Sequence, residues 1–214
     1  MLLQAPTPAG CCRSRGRRRS LRCSAAGDGV AAALALLLAQ PGVTVPDMYA
    51  STPATAAAVA TLSAGRPIPA ATTRASGDGD WRVFHAPHLR SVDVLGLRFQ
   101  PRYVVSDAGR AIRSDVHWAW AGLGGWVSAA GTLETAGSDS VVLFSDFWTS
   151  GEGAEPGALP EPPLSGFDAF VQSVGRAGFL PSLSRFPVRF YDAAAGVTVF
   201  EFPPLRALIA AKRV

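Results

Sequence analysis

The chain has 214 residues, of which 48% are hydrophobic and 17% charged; this suits one domain with a buried core and excludes a disordered chain. The formal charge of +4 is uneven, because residues 1–26 hold six arginines (Arg13, Arg15, Arg17, Arg18, Arg19, Arg22) and no acid, which leaves 14 basic and 16 acidic side chains in the remainder. A body with a charge near −2 has no electrostatic reason to bind nucleic acid and no net attraction to anionic lipid.

Residues 1–26 are Arg-rich, Ser-containing and acid-free, the composition of an organellar transit peptide. The small residues of Arg22-Cys23-Ser24-Ala25-Ala26 resemble a chloroplast processing site and place cleavage between Cys23 and Gly27. A basic tail that binds an acidic partner is the alternative. Cys11, Cys12 and Cys23 all fall in this segment, so the rest of the chain holds neither a disulfide nor a thiolate metal site. The apolar run Val30–Ala39 would make a signal-peptide core, but Asp28 directly precedes it and Gln40-Pro41-Gly42 is a poor cleavage site. It is also too short to span a bilayer, and reads as a buried or surface-docked helix.

Asp28 is the expected cap of that helix, and Pro41-Gly42 its stop. Thr52 caps a second helix with Pro53 at its first position, where a missing N–H costs nothing; it runs to about Leu62. Residues 71–80 form a polar link. From Trp81 the pattern changes to period two. Trp81–Ala86 reads as a strand. Leu97, Phe99, Pro101, Tyr103 and Val105 alternate with Arg98, Gln100, Arg102 and Val104, and after a turn at Asp107–Gly109, Ile112, Ser114, Val116, Trp118 and Trp120 alternate with Arg113, Asp115, His117 and Ala119. Such alternation means one dry and one wet face. Gly124-Gly125 is expected to turn the chain into Trp126–Leu133, and Gly137–Asp139 into Val141–Trp148.

Residues 149–166 form a long acidic loop rich in Gly and Pro, expected to be mobile or a functional flap. Ser165 and Asp168 have capping-box spacing for a helix with an apolar stripe of Phe167, Phe170, Val171 and Val174, ended by Gly175 or Gly178. Strands Phe186–Tyr191 and Val197–Phe202 follow. Residues 203–214 fit helix or strand equally. About seven strands joined by short polar turns suggest an antiparallel meander, and rolling it into a barrel removes the edges and buries the dry face.

Ionisable and nucleophilic residues give little chemistry. His85 and His88 flank Pro87, and with His117 they would form a three-His metal site only if their strands pair; two loop histidines and one on a wet strand face are the simpler expectation. Ser128 lacks the Gly-x-Ser-x-Gly context of a nucleophile elbow. Ser114, Ser128, His117 and Asp146 are the only candidates for a polar cluster inside the barrel. What remains is an apolar concavity lined by Trp81, Val83, Phe99, Tyr103, Val116, Trp118, Trp120, Phe144 and Phe200. Burial of about ten prenyl carbons at ~0.8 kcal/mol per CH₂ reaches micromolar affinity without a charged anchor.

The motifs Leu62 to Ile68-Pro69, Asp80-Trp81-Arg82-Val83-Phe84, Gly125-Trp126-Val127-Ser128, Val141–Phe144 with Asp146-Phe147-Trp148, then Phe179, Phe186-Pro187-Val188, Tyr191-Asp192 and Val199-Phe200 occur in that order. Over most of residues 28–214 the chain resembles the plastid lipid-associated protein (fibrillin) family, although Glu201 stands where many members carry a basic residue and the tail Leu205–Val214 departs from the pattern. The resemblance implies a mainly β fold with accessory helices. That fold is a lipocalin-like antiparallel β-barrel with short N-terminal helices and one helix before the last strands. It divides the chain into a transit peptide (1–26), N-terminal helices and linker (27–80) and a barrel domain (81–214). It also implies location at thylakoids or plastoglobules, peripheral contact with those surfaces, and non-catalytic binding of prenyl lipids or carotenoids with no cofactor and no metal. The alternative is a small hydrolase or isomerase that acts on a lipophilic plastid substrate in the same barrel.

Overall fold

The computed structural model describes residues 28–65, 68–69, 76–137, 139–153, 155–164, 166–178 and 185–214. The expected transit peptide, Ser165 and Phe179 lie outside them, as does most of the polar link. Residues 28–38 form helix α1, which includes Asp28 in its first turn. Pro41 opens the one-turn helix α2 (Pro41–Thr44). Thr52 and Thr55 form a capping box for α3 (Pro53–Ser63), with Pro53 at its start.

Eight strands follow: β1 (Gly79–His85), β2 (Arg98–Ser106), β3 (Ala111–Trp120), β4 (Leu123–Ala136), β5 (Asp139–Gly151), β6 (Arg185–Asp192), β7 (Val197–Phe202) and β8 (Ala207–Arg213). A short helix α4 (Pro87–Arg90) lies between β1 and β2, and α5 (Gly166–Gly178) between β5 and β6. Every neighbouring pair is antiparallel, and β8 pairs back with β1, so the meander closes into a barrel. The mainly β, lipocalin-like architecture expected from the sequence is therefore the fold. The undecided residues 203–214 supply the closing strand: Ala207, Ile209 and Ala211 take the inner side, and small Ala210 lets a helix layer approach from outside.

The expected turn at Gly124-Gly125 lies three residues earlier. Ala121 and Gly122 take left-handed φ of 50° and 81°, the conformation of a tight hairpin, and Leu123 already belongs to β4. Gly125 sits within the strand because a Cβ there would lie 3.3 Å from the Trp118 indole and 2.8 Å from the Ser150 carbonyl oxygen.

One wall of the barrel is covered on both faces. Leu37, Val43, Ala58, Val59 and Leu62 from the N-terminal helices pack on the outer side of Phe84, Val197, Val199 and Ala210. Inside, Trp81, Val83, Ile209 and Ala211 form a second core with Phe99, Tyr103, Phe200 and Phe202. Gln100 ties the N-terminal segment to the wall: its side chain donates to the Val83 carbonyl at 2.8 Å and accepts from the Met48 N–H at 3.5 Å.

The strand ladder has a gap between β5 and β6, which pair only over Asp139–Val141 with Arg185–Pro187. Helix α5 lies along the uncovered edge of β5. Gln172 accepts a hydrogen bond from the Phe147 N–H and donates to Asp146 Oδ1 at 3.0 Å, and Arg176 Nε donates to the Ser145 carbonyl at 2.8 Å. Gly175 lies so near the Phe147 ring that a Cβ would clash. The polar face of α5 is thus turned to the sheet. Phe167, Phe170 and Val174 of its apolar stripe are 66%, 61% and 53% exposed, the reverse of an ordinary amphipathic packing.

Candidate functional site

Alternation sorts side chains across the barrel wall, and the inward set lines two adjoining chambers, each partly open. The upper chamber, about 220 Å³, is lined by Trp81, Ile112, Val142, Phe144, Val188 and Tyr191, among others. The lower, about 320 Å³, is lined by Val83, Leu89, Phe99, Val116, Phe202 and Ile209, with His88. Tyr103 and Phe186 line both. Phe200 stands edge-on to each of them, with ring centroids 6.0 Å apart in both cases. These three rings form an aromatic waist. The larger chamber lies at the low end of small-molecule sites, and a guest that parted the waist would have both.

Seven of the nine expected lining residues are brought together here. Trp81, Phe144 and Phe200 face the upper chamber, Val83, Phe99 and Val116 the lower, and Tyr103 both. Trp118 and Trp120 have the right parity but line neither chamber. β3 runs on past the lower chamber, the Trp118 ring lies over Gly125, and Trp120, the last residue before the hairpin, is 53% exposed. Ile112, Val142, Phe186, Val188 and Tyr191 were missed as lining, although the same alternation marks them. Ile209 and Ala211 were missed because β8 was not recognisable as a strand.

Polar chemistry lies mostly outside. Asp115 is fully buried on the outer face; it accepts from Ser128 Oγ at 2.8 Å and Arg113 Nε at 3.0 Å. Arg102 reaches Asp115, Asp80 and Glu155 at 3.8, 3.4 and 2.6 Å. Its hydrogen bond and charge hold the Glu155 carboxyl below the usual range. Trp148 Nε1 donates to the Gly157 carbonyl at 3.0 Å, and the Gly157 N–H donates to Ser150 Oγ at 2.9 Å. The acidic loop after β5 is therefore strapped to the outer wall, where its carboxylate meets Arg102, and is not a flap over a mouth. Glu201, unusual for the resemblance, pairs with Arg189 across β6 and β7, with Nε at 2.8 Å.

The fold keeps His117 apart from His85 and His88. His85 is buried at the end of β1, with Nδ1 2.9 Å from Ser51 Oγ. Burial lowers its pKa, assisted by Arg90 and His88. His88 sits on α4 instead of in a loop, stacks on Phe202 at 5.7 Å and is likewise lowered by burial. His117 is on the outer face, edge-on to Trp126 at 4.9 Å. Among the described residues no three His, Cys, Asp or Glu side chains are grouped to hold a metal ion. Asp146 belongs to the α5 seam; the Ser145 hydroxyl, with Gln172 and Arg176, holds its carboxyl below the usual range against its desolvation. Only Ser114 of the four candidates for an internal polar cluster faces a chamber.

Inside, desolvation pushes the partly buried Tyr103 phenol up to about 12, so it keeps its proton and remains a donor. No protein-family model, curated protein or solved structure matches this chain.

Proposed function

We propose that this protein is a plastid lipid-associated, fibrillin-like protein, which binds or sequesters isoprenoid-type lipids in its barrel at a thylakoid or plastoglobule surface, without catalysis. The observation that carries the reading is the pair of chambers joined at the Tyr103–Phe200–Phe186 waist, lined almost wholly by apolar side chains. Apolar burial alone supplies ample affinity for a prenyl chain. The outward positions of Ser128 and His117 favour binding over the hydrolase or isomerase alternative, because a lipophilic substrate inside the barrel would not meet them.

The plastid assignment rests on the resemblance and on the composition of residues 1–26. Peripheral attachment is supported by α5, which turns Phe167, Phe170 and Val174 outward; exposed apolar stripes of this kind suit a lipid interface. The test is gentle purification of the mature protein from plastids, solvent extraction, and mass spectrometry of the extract. Prenyl lipid or carotenoid in stoichiometric amount is expected. An empty extract from protein that also fails to take up added prenyl lipid overturns the reading.

A further inference from the structure

The chain has three tyrosines, and two have engaged hydroxyls. Tyr49 Oη accepts the Phe99 N–H at 2.7 Å, and Tyr191 Oη donates to the Ser76 carbonyl at 2.7 Å. Tyr103 differs. Its ring is fixed at the waist against Phe200, its hydroxyl has no hydrogen-bond partner among the described residues, and desolvation alone moves its pKa. The residue lines both chambers. Ser114, its cross-strand partner in register, opens on the upper chamber. Tyr103 is only partly buried, so its hydroxyl opens on the mainly apolar chambers that the residue lines; a guest that fills them takes away its water, and a donor then left without an acceptor is costly.

We infer that the guest carries a carbonyl oxygen, as a ketone, quinone or ester, which sits at the waist and accepts a hydrogen bond from Tyr103. This rests on the lipid-binding reading and makes it specific. A pure hydrocarbon leaves the Tyr103 proton unmet. An alcohol accepts it but brings a second proton into the same apolar surroundings. A carbonyl oxygen accepts and brings none, and its second lone pair is available to the Ser114 hydroxyl. A charged head group finds no opposing charge among the described residues that line the upper chamber.

The test is calorimetric titration of the mature protein with a long-chain methyl ketone, the secondary alcohol and the alkane of the same carbon count. One hydrogen bond in a dry site is worth roughly tenfold in affinity, so the ketone should bind about tenfold more tightly than the alkane, with the alcohol between them. Tyr103→Phe keeps the ring and removes only the hydroxyl; it should bring ketone and alkane to equal affinity while alkane binding holds or improves. Ser114→Ala should lower ketone affinity less. Ketone and alkane of equal affinity in the unaltered protein overturn the inference and leave the lipid-binding reading standing, as does an alcohol that binds as tightly as the ketone. If none of the three binds, the lipid-binding reading fails and the inference fails with it. The selectivity of the unaltered protein decides the matter even if a variant does not fold.

Discussion

Gln172 on α5 accepts the backbone N–H of Phe147 on β5, a bond that a β6 strand would ordinarily receive. The same side chain donates to Asp146, so one residue closes both a backbone and a carboxylate valence along the seam. Gln172→Leu removes both and takes this acceptor from the part-buried Phe147 N–H, which costs about 1–3 kcal/mol. Urea unfolding followed by circular dichroism should show a lower midpoint. An unchanged midpoint would mean that the helix does not seal the sheet.

The exposed stripe of α5 is expected to touch lipid. Phe167→Ser combined with Phe170→Ser leaves the face against β5 untouched and should reduce co-sedimentation with galactolipid vesicles severalfold, at about 25 cal/mol per Å² of apolar area withdrawn from the interface. Ketone or prenyl-lipid uptake in solution should be unaffected. Equal vesicle binding by the variant would remove α5 from the interface.

Ser128 is a structural residue on the outer wall. Ser128→Ala deprives the buried Asp115 carboxylate of one donor and should lower stability by about 1–3 kcal/mol, read from thermal or urea melts. Lipid binding by the folded variant should match the unaltered protein. A loss of binding without a loss of stability would point to chemistry at Ser128.

Burial holds His85 neutral in the folded state, with Arg90 and His88 adding to the effect. The unfolded chain takes up a proton near the ordinary value of about 6.5, so it binds more protons than the fold below that pH. The contribution is therefore complete above about pH 6.5 and is lost as pH falls through the lower folded pKa. His88 is lowered too, and acts in the same direction. Melting temperature should fall between about pH 7 and pH 5. His85→Gln, which can still reach Ser51, should flatten that slope; a slope of the same size in the variant would assign it elsewhere.

Much of the barrel was legible because β2 and β3 alternate almost without fault, and the same parity placed Phe99, Tyr103 and Val116 inside. The closing strand was not legible: Ala207–Arg213 is short in β-formers, and its alanines are chosen for close packing between the inner core and the helix layer. Parity also says nothing about where a strand outruns the cavity, so Trp118 and Trp120 were placed inside with the rest. The reversal of α5 was hidden for a different reason. A hydrophobic stripe reveals that a helix has two faces, but only the unpaired edge of β5 makes the polar face the one that docks.

The helix layer over β1, β7 and β8 divides the barrel into unequal halves. Amides of Val83, Val199 and Ile209 lie between two packed layers, whereas β3 and β4 have no helix layer outside them, only the strapped loop near Asp115 and Ser128, and the far end of β4 is exposed. Breathing motions that let solvent deuterium reach an amide will therefore be rare on the first side and frequent on the second. A guest too bulky for the resting chambers will find its extra room by bowing the thin side outward, while the thick side acts as the fixed wall against which the fit is measured.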